Sequence, residues 1–251
     1  MKRLAYVLFT WCIVVACISN AGAAIVWSNG DTTDQFVPLG FNAEVPSYSF
    51  SRQFFEEFTV NGGTMITGLW SHNLIPTGTE ASVTIARWSI YSLMTPSSDG
   101  TLISEGIANV SLSPNGKIRS ETLNFITGPV TQQFDGYQFL VSGLNVALGS
   151  GTYSVAVTPI LDSFIPCFED KAGCSPLIEL TYGANSIGTP VGNENGVWRD
   201  TMEEEPVFRY NNTAADLPLG VLGVSAVPLP NTMLLLGLGL MGVAGIRRKL
   251  S

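Results

Sequence analysis

The sequence predicts an all-β protein, an antiparallel β-sandwich of jelly-roll type, and three observations carry that prediction. Short segments with a two-residue apolar alternation recur through the middle of the chain, broken by Gly, Pro, Asn and Asp. The 251 residues include 26 Gly and 14 Pro, while charged residues make up only 13%, a balance that favours strands and turns over helices. No interior stretch sustains a 3.6-residue apolar period with caps at both ends. The two ends differ in composition from the rest, which leaves roughly 200 residues for one domain.

Taken in order, residues 1–23 read as a secretory signal peptide in helical form. Lys2 and Arg3 make the positive start, Leu4 to Ile18 an apolar run, and Ala21-Gly22-Ala23 the small residues before a cut between Ala23 and Ala24. The run falls short of the about 20 residues a bilayer crossing needs. Val14-Val15-Ala16-Cys17 offers a competing lipoprotein-type cut, after which Cys17 would carry lipid.

The ectodomain is assigned to residues 24–222. Thr152 to Thr158 alternates, with Tyr153, Val155 and Val157 on one face. Tyr137, Phe139 and Val141 share a face just before it, and 143–151 reads as a long hairpin loop between the two. Ser82 to Tyr91 changes phase between Ile85 and Trp88, which predicts a bulge. Further strands are expected at Ile25–Trp27, Phe54–Val60, Met65–Trp70, Leu102–Val110, Ile118–Phe125, Leu177–Tyr182 and Val207–Tyr210.

Charge narrows the possible partners. All 20 acidic residues lie between Asp31 and Asp216, while five of the 12 Lys and Arg lie at the two ends. The centre keeps seven basic residues, so its net charge is about −13, which repels phosphate backbones and excludes nucleic acid. Cys12 and Cys17 belong to the signal. Cys167 and Cys174 bracket six residues and read as a disulfide closing a surface loop in an oxidising compartment. A metal-binding pair is the alternative, although no second pair completes a zinc set. The chain-entropy model gives such a bridge on the order of 2–3 kcal/mol.

Catalytic, cofactor and metal residues are not expected. His72 is the sole imidazole, no nucleophile elbow accompanies it, and a histidine at a strand end is ordinarily a surface or turn residue. Among the carboxylate clusters, Glu56 and Glu57 are adjacent on a strand and so point to opposite faces, Glu169-Asp170 sits between the cysteines, and Glu203–Glu205 reads as a solvated loop. The aromatics Trp27, Trp70, Trp88, Tyr48, Tyr91 and Tyr182 read first as core. Trp198, in the polar and Gly-rich stretch 192–199, is the candidate exposed ring for stacking on a sugar.

Residues 223–251 make the C-terminal segment. Ala226-Val227-Pro228-Leu229-Pro230-Asn231 leads into Thr232–Ile246, an uncharged run of Leu, Gly and Met, followed by Arg247-Arg248-Lys249. The run of residues 232–246 is expected to be a transmembrane helix whose basic cluster stays cytoplasmic. As a helix it spans roughly 22 Å, short of the roughly 30 Å hydrocarbon core, which suits a temporary hold better than a permanent anchor. Val227, Pro228, Leu229 and Pro230, then the apolar run, then Arg247, Arg248 and Lys249 resemble the PEP-CTERM sorting signal recognised by exosortases. The commoner pattern has Glu where Leu229 stands. An ordinary anchor helix is the alternative.

The resemblance implies an exported protein of a Gram-negative, exopolysaccharide-producing bacterium. It would be tethered in the inner membrane facing the periplasm, then sorted to the cell surface or the exterior by an exosortase-type enzyme. The pieces Val26-Trp27-Ser28-Asn29-Gly30, Ile66-Thr67-Gly68-Leu69-Trp70 and Gly151-Thr152-Tyr153 are similar to ectodomains found ahead of such tails. The expected role is a non-enzymatic surface or matrix protein associated with extracellular polysaccharide. A carbohydrate-binding module of the same fold is the alternative, with a secreted glycan hydrolase behind it.

Overall fold

The computed structural model describes residues 23–30, 40–41, 43–46, 50–94, 98–125, 128–161, 165–166, 173–174, 176–178, 186–188, 197–200, 208–209 and 216–225. The strands are β1 (Ala24–Ser28), β2 (Gly40–Phe41), β3 (Ala43–Val45), β4 (Phe50–Val60), β5 (Thr64–Pro76), β6 (Ile85–Ser92), β7 (Leu102–Phe125) and β8 (Gly128–Leu148). They continue with β9 (Gly151–Ile160), β10 (Ile165–Pro166), β11 (Gly173–Cys174), β12 (Leu177–Ile178), β13 (Val197–Asp200), β14 (Phe208–Arg209) and β15 (Leu219–Ser225). The helical content described is one short 3-10 turn, Glu80–Ser82. Among the described residues no helix is long and apolar enough to cross a membrane. The expected transmembrane helix 232–246 and, apart from Ala23, the signal segment lie outside the described residues.

The all-β class holds, but the arrangement differs from two separate sheets. Thirteen strands follow one hydrogen-bonded path, β1-β15-β5-β8-β7-β6-β9-β3-β4-β13-β14, with β12 attached to β5 and β2 to β12. All of its pairings are antiparallel except β3 with β9, which makes this one curled mixed sheet. The cause is β7. Its first part pairs with β6 as far as Asn109, and from Val110 onward it pairs with β8. Leu102–Val110 and Ile118–Phe125 are therefore one strand of 24 residues. Pro114-Asn115-Gly116 looks like a turn in sequence, yet here it is a bulge. Pro114 has no N–H to give the ladder, Gly116 takes φ 76, and the Asn115 side chain accepts the Lys117 N–H at 3.0 Å.

The curl brings the two halves of the path onto one core. Trp27, Ile66, Leu69, Val141, Leu219 and Val221 from one half meet Phe54, Phe58, Trp88, Ile90, Val155 and Val157 from the other, all buried. The predicted face of Tyr153, Val155 and Val157 packs there. Its opposite face is covered too: Ala156 packs with Phe55, Tyr91 and Met94.

Three further expectations are corrected. The segment 143–151 is not a hairpin loop: β8 runs on to Leu148, and β9 starts at Gly151. The two strands then pair with different neighbours, β8 with β5 and β7, and β9 with β6 and β4. The phase change near Ile85 is not a bulge. Val83 precedes the strand, β6 keeps regular register with β9, and its irregularity lies at Ile90/Tyr91 against β7. His72 is no surface or turn residue, because β5 continues to Pro76 and His72 is 4% exposed.

Candidate functional site at the C-terminal junction

The last strand, β15, is read as Leu-Gly-Val-Leu-Gly-Val-Ser, with apolar residues on both faces and glycine where neighbours crowd. It lies between β5 and β1 and exchanges backbone hydrogen bonds with both. Leu219 and Val221 enter the core at 0% exposure. Gly220 faces Trp70, and a Cβ there would overlap the indole ring, so the ring lies flat across the strand only because this residue is glycine. The Trp70 ring in turn lies against His72, tilted by 34° with centroids 4.9 Å apart, and both rings are buried.

The residues leading into β15 are held by a buried carboxyl group. Glu56 lies on the inward face of β4, whose neighbours two positions away, Phe54 and Phe58, belong to the core. Its Oε2 accepts the backbone N–H of Leu217 at 3.0 Å. The Pro218 carbonyl accepts from the His72 N–H at 2.9 Å, and the Leu219 carbonyl accepts from the Asn29 N–H at 3.1 Å. Burial pushes the Glu56 carboxyl well above the ordinary carboxylate range, and the nearby Asp216 pushes it further. The N–H groups of Leu217 and Glu57 pull the other way without cancelling the rise.

A glycosidase also uses two carboxyl groups, but they must flank a sugar bond. Glu56 and Asp216 are each 1% exposed, so this pair faces protein and not a substrate. Its chemistry is that of a fastener for the C-terminal strand. Glu57 turns to the opposite face as predicted, half-exposed. Among the described residues no group of three His, Cys, Asp or Glu is placed to hold a metal ion.

The residues singled out in sequence fare differently. Trp27, Trp70, Trp88 and Tyr91 are 0%, 5%, 8% and 8% exposed, as core aromatics should be. Trp198 does not stand on a loop: it is in β13, with Phe54 of β4 on one side and Phe208 of β14 on the other. Its neighbour Arg199 donates to the Tyr91 hydroxyl at 3.1 Å, lies 5.6 Å from that ring's centre and pairs with Asp99 at 3.5 Å. Tyr48, Tyr182, Cys167, Glu169-Asp170, Glu203–Glu205, the sorting residues Val227–Pro230 and Arg247–Lys249 lie outside the described residues. The Glu56–Asp216 pair was missed in sequence because 160 positions separate its members, and only the curl of the sheet brings them together.

An all-β domain whose last strand runs into a proline-rich joint, an apolar run and a basic cluster has the build of an exported domain with a sorting tail. A family model for the PEP-CTERM protein-sorting motif matches residues 226–249, so the chain carries that motif, beginning at the residue after β15 ends. The motif marks an exported protein that passes through the membrane and is recognised by exosortase-type processing. No curated protein matches the chain.

Proposed function

We propose that this chain is the precursor of a non-enzymatic surface or extracellular-matrix protein, held in the inner membrane by its tail and released when the tail is cut. The observation that carries the proposal is the junction. The last strand among the described residues ends at Ser225, and the matched motif starts at residue 226. A cut near Val227–Pro230 therefore leaves every described strand with the domain. At the other end β1 begins at Ala24, which supports signal removal between Ala23 and Ala24. The burial of Trp27, Trp70, Trp88 and Tyr91 and of the carboxyl pair favours a structural role over catalysis.

The finer readings follow from the same picture. The halves of the sheet share one core, which supports a sandwich-like closure. The Cys167–Cys174 bridge is proposed from the isolation and close spacing of the two cysteines in an exported chain. Association with extracellular polysaccharide remains the proposed setting, with the acidic surface keeping the released domain soluble there. The test is the intact mass and membrane fractionation of the protein from its native host. A soluble form starting near Ala24 and ending near residue 230 supports the proposal. A membrane-bound form that keeps Ser251 refutes it.

A further inference from the structure

Strand register brings both membrane-directed ends to one pole of the domain. Ala24 lies opposite Gly223, Ser225 lies opposite Thr64, and Thr64 lies opposite Leu148. Residues 23 and 226 thus leave the sheet beside the turns at 61–63 and 149–150. The far end of β5, Pro76, is about 40 Å away over its 13 residues at 3.3 Å each.

This pole differs chemically from the body it belongs to. The segments from which the two ends emerge, 23–26, 61–66, 142–152 and 221–225, contain no Asp, Glu, Lys or Arg, while the β6–β7 connection at the same end carries Asp99, paired with Arg199 at 3.5 Å. Its outer face is apolar: Ile25 and Met65 are 47% and 37% exposed, opposite the half-exposed Leu222 and Val224 of β15. The far pole carries Glu80, just past the end of β5, Asp135 opposite Ile75, and Glu44 beside Ile160. Between Ser225 and the apolar run at Thr232 stand only residues 226–231, which reach at most about 20 Å even when extended.

We propose that the pole carrying Ile25, Met65, Leu222 and Val224 is a bilayer-facing surface, on which the tail-bearing precursor rests against the periplasmic leaflet of the inner membrane. The proposal rests on the reading of the tail as membrane-held. With a short joint the domain must present some surface to the lipid. A body of about −13 charge is repelled by anionic headgroups, and least where these uncharged segments face them. Exposed Ile and Met there suit the headgroup boundary, where apolar side chains gain from leaving water.

The test uses full-length protein in spheroplasts of a host that lacks an exosortase, so the tail stays on and no sorting enzyme shields the pole. Single cysteines are introduced as Ser150→Cys and Gly62→Cys at the near pole and Thr77→Cys at the far pole, in a Cys167→Ser, Cys174→Ser background. Gly62 has open space where a Cβ would stand, and all three positions are exposed. A bulky membrane-impermeant maleimide is expected to label positions 150 and 62 severalfold more slowly than 77. That gap should close in a chain ending at residue 231. Equal labelling in a membrane-bound precursor overturns the pole assignment alone. A precursor found in the soluble fraction removes the membrane-held tail, and the assignment with it. Should the serine background misfold, amide hydrogen exchange of the unsubstituted chain decides: membrane-dependent slowing at 61–66 supports the assignment, and slowing confined to 77–80 refutes it.

Discussion

The two poles of the sheet do different work with different residues. Away from the near pole, an ion pair and a buried carboxyl group fasten the chain. Arg87 grips Glu44 through two hydrogen bonds of 2.6 and 2.9 Å, tying β6 to β3, and Glu56 holds Leu217 where the chain turns into β15. At the near pole the turns 61–63 and 149–150 are Gly, Ser and Asn, without charge, and the two ends of the domain emerge side by side next to them. The near pole is where the matched sorting motif continues from Ser225. The strand that joins the two regions is β15, fastened at its start and open at its end.

The largest effect expected is from removing that strand. A chain ending at Pro218 loses the strand that pairs along β1 and the core side chains Leu219 and Val221 packed with Trp27, so it should fail to fold. A chain ending at Asn231 should melt like the domain freed by processing. Thermal unfolding of the two truncations makes the comparison, and a folded chain ending at Pro218 would show that the junction is dispensable.

Next in size is Gly220→Val, which forces a branched side chain into the Trp70 indole. Overpacking of this kind costs about 1–3 kcal/mol, and here the upper end is expected because the facing group is a buried ring on a paired strand. Denaturant unfolding checks it. Gly62→Ala at the near pole, where a Cβ meets nothing within 4 Å, should stay within about 0.5 kcal/mol of the parent.

The carboxyl pair gives a pH signature that the near pole lacks. Burial and Asp216 raise the Glu56 pKa in the folded state, so the folded chain keeps a proton that the unfolded chain releases in the ordinary carboxylate range. The stability it contributes is fully present below that range. It is lost as pH rises through the folded value. Glu56→Gln is neutral throughout and keeps an amide oxygen for the Leu217 N–H. It should match the parent at acidic pH, exceed it at neutral pH and flatten the curve between them. Denaturant midpoints across that interval provide the check, and an unchanged slope would mean that Glu56 does not titrate there.

Much of this fold is legible where one face of a strand is apolar. The alternation of Tyr153, Val155 and Val157 and the opposite facing of Glu56 and Glu57 follow from the two-residue period alone. Legibility fails where both faces are buried or where turn residues sit inside strands. Leu219–Ser225 has no alternation because Val221 packs inward while Leu222 and Val224 lie half-covered on the outer face, and its glycines imitate a loop. Gly143 and Pro114 likewise imitate loop residues inside β8 and β7. The sorting tail is legible for the opposite reason: its joint, apolar run and basic cluster are contiguous, so no folding is needed to assemble it. The Glu56–Asp216 fastener exists only after the sheet has curled.

The most direct test of this account is the intact mass of the exported protein, taken with and without the sorting enzyme in its native host. With the enzyme, a soluble domain that ends within residues 226–231 and keeps β15 whole is predicted. Without it, a membrane-bound chain should retain Arg247-Arg248-Lys249. A mature form cut before Leu219 would contradict the account, since the strand that closes the sheet would then belong to the discarded tail.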